Sequence, residues 1–540
     1  MRLFVSTVLL MPLAVSAISD KGFFDIQRGQ RQVEAHTVKA AVAGFDEGQP
    51  EPAQEFNGDQ QRYADRRGNF NKGLDHLVSG YPDVPAYDSL VRAVSTGTQT
   101  DYDAIEIGQG IFRLVNPQAA LAFSLPGNDS WLRVIPPAPT FASAQTAGEM
   151  VELYWTVLVR DVPFNEFGSN ATVTAATMDL STLTDFRGPK VGGMVTPGTF
   201  LRGNTPGDLV GPYISQFLYQ NIPYGAATLP QSFQVPLPSD LTVPTIVNDF
   251  NYTFPNWFDV VTGGDTGLLI MFDPTPTFIR TPRDLTEFVH RDTPGLAAFS
   301  ALLILNSYGP AALNPANPYL TNATQDGFVT FGIGQFIALM QEAVQEGLQA
   351  AWYHKWEVNR RLRPEEYGFY VQETLVNGAS LGINSQLLSS SALPLIFSAF
   401  GSYFLAGAYP EGSPVHPAYP AGHATFIGAA VTILKALFNE NFIIPVPLEP
   451  DATNTALQAY VGTPLTVGGE LNKLAANIAL GRDHAGVHYR SDGFDGMNLG
   501  EQIAIDVLNN NSFLFNESFQ GYTFTRFNGE KVTVGGKRQP

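Results

Sequence analysis

Five basic residues of this 540-residue chain fall on apolar helix faces or at helix ends, where a cation has no cheap reason to be. Lys355 follows Val344 by eleven residues and Leu348 by seven, which returns it to the apolar face of its helix. A lysine there is costly unless an anion or a carboxylate meets it. Arg363 comes eight residues later and precedes Pro364, which disfavours helical geometry at the arginine and places it at a helix end. Pro420-Ala421-Gly422-His423 stands immediately before an apolar helix. A helix N-terminus offers unpaired N–H groups and partial positive charge, and glycine lets an anion approach the backbone. Leu471, Leu474, Ile478 and Arg482 step by three or four, so Arg482 lies on an apolar stripe. His488 follows just past that helix, with Asp492 four residues on. Arginine reads oxyanions in bidentate fashion, lysine serves as a point charge, and histidine serves as base or ligand. Together these residues predict a site for a tetrahedral or trigonal-bipyramidal oxyanion. Burial of so many cations with nothing to oppose them would not be stable. Arg360 and Arg361 are expected to be surface or carboxylate-paired residues instead.

Helices must position these side chains. A pattern with Phe336, Ile337, Met340, Val344, Leu348, Ala351 and Trp352 on one face predicts a long helix over 333–362. Further helices are expected over 423–438, 469–482 and from Asp492 to Leu508, with a proline-rich loop from Ile443 to Asp451. Thr146-x-x-Glu149 and Asp284-x-x-Glu287 resemble helix starts, and Pro294 should kink or divide the second segment. Residues 18–75 are polar and irregular, and are expected to form an N-terminal arm. Residues 76–540 form the helical domain, with the site within 284–508. Little alternation speaks for a large sheet, so the fold class is mainly α, helical bundles with few short strands.

Composition narrows the partners. Hydrophobic residues make up 44%, ample for a core, and the formal charge is −19. Nucleic acid and anionic membranes both demand a basic face and are excluded as partners. No cysteine is present, which removes disulfides, thiolate metal sites and cysteine nucleophiles. Residues 1–17 have the charge, apolar run and small terminal residues of a signal peptide, so a secreted, extracellular protein is expected. Six Asn-x-Ser/Thr tripeptides, at Asn128, Asn170, Asn251, Asn322, Asn510 and Asn516, agree with that route.

At the basic residues the chain resembles the vanadium-dependent haloperoxidases, a family within the superfamily that also holds acid phosphatases. The run from Lys355 to Arg363-Pro364-Glu-Glu-Tyr-Gly resembles the first family signature. Its Lys-x7-Arg-Pro spacing is similar to algal-type bromoperoxidases; phosphatases usually have one residue fewer. His416-Pro-Ala-Tyr-Pro-Ala-Gly-His423 resembles the second signature, and Gly481-Arg-Asp-His-Ala-Gly-Val-His488-Tyr-Arg-Ser-Asp492 the third. Segments beginning at Asn69, Leu114, Gly207 and Glu287 are also similar to algal bromoperoxidases, so the likeness covers most of the chain.

The resemblance implies a vanadate cofactor bonded through His488. Lys355, Arg363 and Arg482 would neutralise its oxygens, and the Gly422 N–H would donate to another. His423 would be the acid/base, His416 a second histidine near the site, and Asp292 the group that orients His423. Trp352 and His354, close to Lys355, are candidates for tuning the halide position. The implied activity is oxidation of halide, bromide or iodide preferred, by hydrogen peroxide to hypohalous acid, which halogenates small organic acceptors. A homo-oligomer, dimer or larger, is implied as well. One departure stands out: Ala421 occupies the position where the family usually has serine, which removes a hydroxyl donor worth roughly 1.5–3 kcal/mol to a charged group. The competing readings are a secreted acid phosphatase of the same superfamily and an impaired, anion-binding homologue.

Overall fold

The computed structural model describes residues 20–239 and 247–535, the side chains of 20–27 excepted. The expected signal segment lies outside the described residues. The chain divides into two units, one ending at Pro50 and one beginning at Glu51. The first contains a helix, Asp20–Glu47, where an irregular arm was expected.

Residues 51–75, also assigned to that arm, belong to the main unit. Phe70 and Leu74 are wholly buried, Lys72 Nζ meets Glu365 at 2.6 Å, and the Asn71 N–H donates to Glu366 Oε1 at 2.9 Å. Their partners lie some 290 residues away in sequence, so no local periodicity announces the burial.

The core of the main unit is built on the helices Ile333–Tyr353, Gly422–Leu437, Val467–His484 and Arg490–Ser512. Glycines decide how the second and fourth of these pack. A Cβ on Gly500 would meet the Thr425 carbonyl oxygen at 2.1 Å, and one on Gly428 the Met497 oxygen at 2.5 Å. The two backbones therefore touch, which any larger residue would prevent. That close approach carries through to the helix starts, where the Ala421 N–H donates to the Asp492 carbonyl at 2.8 Å. The second and third signatures are thereby held side by side.

The long helix ends earlier than 362. After Tyr353 the chain widens into a π-turn over His354–Asn359, and Arg360 takes a left-handed φ of 43°. Such π-turns are often found at functional sites. Pro294 does divide its segment, into Pro282–Arg291 and Leu296–Ser307. The helix starts are set one turn before the expected pairs. Ser143 accepts from the Thr146 N–H at 3.1 Å, and Thr281 with Asp284 forms the reciprocal cap of the other helix. Glu149 is occupied elsewhere, by Arg361 and the Ser491 N–H, and so cannot close a capping box.

Strands among the described residues are confined to three two-stranded antiparallel hairpins. No described helix is long and apolar enough to cross a membrane. Of the six glycosylation tripeptides, Asn322 and Asn516 are exposed. Asn251 is buried, with its amide on the Tyr409 carbonyl, and cannot carry a glycan in this fold.

Candidate oxyanion site

Buried cations sort this structure into two kinds. Lys72, Arg160, Arg283, Arg361, Lys435, Lys473 and Arg490 each have a carboxylate oxygen within 4.0 Å. Among the described residues, the buried lysines and arginines without one are Lys355, Arg363 and Arg482. These are the three that the sequence singled out.

Lys355 sits in the π-turn, wholly buried, and donates to the Pro417 and Ala418 carbonyls at 2.6 and 3.0 Å. An ammonium has three N–H donors, so one remains. Arg363 precedes the helix Pro364–Val376, with extended backbone and its N–H held by Glu366 at 2.6 Å. Its guanidinium reaches His488 Nε2 at 2.9 Å and His416 Nδ1 at 3.0 Å. Arg482 donates to the Val289 carbonyl at 3.0 Å and to the Tyr409 hydroxyl at 3.3 Å, while its Nε is buried with no partner. Tyr409 carries no motif and was missed; its hydroxyl also donates to the Thr286 carbonyl, which fixes it beneath Arg482.

His488 follows Gly486, whose φ of 78° turns the chain out of the helix. Its Nδ1 lies 2.9 Å from Asp492 Oδ2, and Asp492 Oδ1 accepts from Arg361, itself held by Glu149. With Nδ1–H given to Asp492, Nε2 keeps its lone pair for the cationic centre, a tautomer assigned from the hydrogen bonds. Asp492 thus pairs with Arg361 rather than Arg482. Arg361 is the carboxylate-paired residue that the sequence allowed.

His423 lies in the first turn of the Gly422–Leu437 helix, its Nε2 2.9 Å from Asp292 Oδ1. Its proton-accepting nitrogen is then Nδ1. Ala421 is the N-cap of this helix and provides no side-chain cap, so the first-turn N–H groups depend on another acceptor. His416 lies tilted against Trp352, ring centroids 4.9 Å apart, and a Cβ on Gly422 would meet the same indole at 3.2 Å. Trp352 therefore borders the site. His354 does not share that place: it is wholly buried against the Arg133 carbonyl, at 3.1 Å.

The electrostatics follow from this crowding. Burial, then Arg363, holds the Lys355 ammonium well below the ordinary lysine range. Burial with Arg363 and Lys355 does the same to His488, and burial with Lys355 and Arg363 to His416. Arg363 itself is lowered to about 10, chiefly by burial. Burial and Arg482 lower His423, against which Asp292 works. Each of these groups resists its own charge because burial and the neighbouring cations outweigh the carboxylates nearby. A multiply charged oxyanion would satisfy the free Lys355 N–H, the orphaned Arg482 Nε and the uncapped helix start at once. A bare metal cation would not, since the donors are themselves cationic.

Replacing Asp292 separates orientation from retention. In Asp292→Asn, His423 loses a carboxylate that raises its pKa, so its basic form persists to lower pH and the acid limb of kcat/KM moves down. Turnover at the site should fall about 10–100-fold with oxyanion affinity nearly unchanged. An unmoved acid limb in the pH–rate profile would refute the orienting role.

A mainly helical bundle that gathers uncompensated cations and paired histidines defines an oxyanion-binding enzyme. Residues 335–517 match the VCPO second helical-bundle domain. The vanadium-dependent bromoperoxidase of Ascophyllum nodosum is 31% identical over 94% of this chain and 92% of its own. That of Corallina officinalis is 31% identical over 86% of this chain and 90% of its own. The homohexameric structure of the second vanadate-dependent bromoperoxidase of A. nodosum superposes with a TM-score of 0.86. It is 27% identical and covers 99% of this chain and 94% of that one. The chain belongs to the vanadium-dependent haloperoxidase family, among relatives of the bromoperoxidase type.

Proposed function

We propose that this protein is a vanadate-dependent haloperoxidase that oxidises bromide with hydrogen peroxide to hypobromous acid and so brominates small organic acceptors. The observation that carries the reading is the convergence of the buried cations that lack carboxylate partners, Lys355, Arg363 and Arg482, on His488. Vanadate, when bound, supplies a Lewis-acidic centre that activates peroxide without changing its own oxidation state. His488 Nε2 is the ligand nitrogen, kept in its tautomer and orientation by Asp492. Lys355, Arg363 and Arg482 balance the oxyanion charge, and the Gly422 N–H donates to it. His423, oriented by Asp292, takes the proton released by peroxide. The remaining Lys355 N–H would donate to an oxygen of the bound anion. Little of this rearranges as charge shifts, because Lys355, Arg363, Arg482 and His488 are buried and held by hydrogen bonds to fixed groups.

We further propose that the protein is secreted, on the strength of residues 1–17 and the exposed Asn322 and Asn516, and that it assembles as a homo-oligomer, as its homohexameric relative does. Dye bromination with peroxide and bromide in phosphate-free buffer, before and after orthovanadate, tests the activity. Activity that appears only with orthovanadate is expected. Hydrolysis of p-nitrophenyl phosphate without bromination would make the protein a phosphatase instead.

A further inference from the structure

Arg482 is held through Nη1, which donates to the Val289 carbonyl of the helix Pro282–Arg291 and to the Tyr409 hydroxyl. The same helix fixes Tyr409 in two ways. The Tyr409 hydroxyl donates to the Thr286 carbonyl at 2.7 Å, and its ring lies flat on His290, centroids 3.8 Å apart and planes 12° from parallel. The Arg482 guanidinium lies 5.3 Å from the centre of that ring, so Tyr409 links His290 to Arg482. His290 is itself clamped. Its Nε2 lies 2.5 Å from Glu411 Oε1, and its Nδ1 3.4 Å from Glu287 Oε2. Both carboxylates are anchored. Glu287 also accepts from Arg291 Nε at 2.5 Å, and the Glu411 carbonyl accepts from Lys72, which is paired with Glu365. A neutral imidazole donates from one nitrogen only, so facing carboxylates with both requires the protonated ring. Burial opposes that charge, but Glu287 and Glu411 outweigh it and raise the His290 pKa above the ordinary histidine value. The other charged groups around the pair of rings are Arg291 on the same helix, Asp292 just past its end and Arg482.

We infer that His290, clamped between Glu287 and Glu411, is a positioning residue for Arg482: its charged ring fixes Tyr409, and Tyr409 fixes the guanidinium for the oxyanion. The inference rests on the oxyanion reading of the site. One helix then serves both halves of that site, since Asp292, just past its end, orients His423. Below the raised pKa both His290 nitrogens carry protons and both carboxylates are met. As pH rises through it, one nitrogen loses its proton and turns a lone pair toward a carboxylate. That repulsion opens the clamp, frees the Tyr409 ring and loosens the acceptor that holds Arg482. Vanadate affinity therefore has a component that is complete below the ordinary histidine value of 6.5 and is lost as pH rises through the raised pKa.

The test titrates orthovanadate into the vanadate-free protein by calorimetry, in phosphate-free buffers that span the histidine range from about pH 6 to about pH 9. Wild type and variant are compared at each pH, so that vanadate's own titration cancels. His290→Phe keeps the stacked ring and removes both donors. It should bind orthovanadate roughly three- to tenfold more weakly at the acid end, less than the 10–100-fold of a group bonded directly to a ligand residue. At the alkaline end the two should agree within about twofold, because the wild-type clamp is open there as well. His290→Gln cannot take up charge but keeps one neutral donor, and it should show the same convergence, so a poorly folded Phe variant does not decide the matter. Tyr409→Phe removes the hydroxyl that meets Arg482, and in that background His290→Phe should make no further difference at any pH. A ratio of wild-type to variant affinity that stays constant with pH in both His290 variants would leave His290 a structural role only and overturn the inference. So would a His290→Phe effect that persists undiminished beside Tyr409→Phe, because His290 would then act around Tyr409 rather than through it. Wild type without saturable vanadate binding would sink the oxyanion reading itself, and this inference with it.

Discussion

Lys355→Met should cost about 10²–10³-fold in bromination and make the vanadate-free protein more stable. Both effects come from the same fact. Lys355 is wholly buried, touches two carbonyls, and has no carboxylate to offset its charge. Removing one preorganised donor to an oxyanion typically costs that much in rate. Replacing a buried charge by an apolar residue of similar volume is often stabilising, by about 1–4 kcal/mol. Methionine keeps the length of the chain and fills the space. Dye bromination and chemical denaturation of the vanadate-free protein, both in phosphate-free buffer, measure the pair. A variant that lost activity and stability together would mark Lys355 as an ordinary structural residue. The contrast with Arg361 is useful: it is equally buried but held by Glu149 and Asp492, so Arg361→Met should destabilise.

Ala421→Ser should tighten vanadate binding roughly ten- to a hundredfold, from about 1.5–3 kcal/mol for one hydrogen bond to a charged group. Ala421 is fully buried, caps the Gly422–Leu437 helix with φ −70° and ψ 125°, and provides no cap of its own. Serine adopts this geometry readily, accepts from a first-turn N–H, and leaves its O–H for the oxyanion. Equilibrium dialysis of orthovanadate against both forms reads the difference. Equal dissociation constants would mean that the Ala421 position does not face the bound anion.

The site was more legible in the sequence than the fold around it, for physical reasons. Lys355, Arg363 and Arg482 betray themselves locally: each breaks an apolar stripe or precedes a proline. Their burial could therefore be read from spacing alone. The π-turn at His354–Asn359 could not, because it depends on what packs against the helix rather than on its own pattern. Tyr409 and Arg361 were not visible as site supports, since their partners are distant in sequence. Asp492 could be placed near His488, but its second bond, to Arg361, is a tertiary fact. The burial of Phe70, Lys72 and Leu74 was misread for the same reason. Helix starts slipped by one turn because Ser143 and Thr281, not Thr146 and Asp284, are the N-caps. The helix Asp20–Glu47 was overlooked because its polar residues outweigh any apolar stripe.

Titration calorimetry of orthovanadate into the vanadate-free protein bears most directly on the claim that Lys355, Arg363 and Arg482 await an oxyanion. One vanadate per chain is expected, displaced by phosphate and lost in Lys355→Met. Saturation should also stabilise the fold, by about 2.7 kcal/mol at a hundredfold excess over the dissociation constant. Heat that shows no saturable binding, or binding that survives Lys355→Met unchanged, would contradict it.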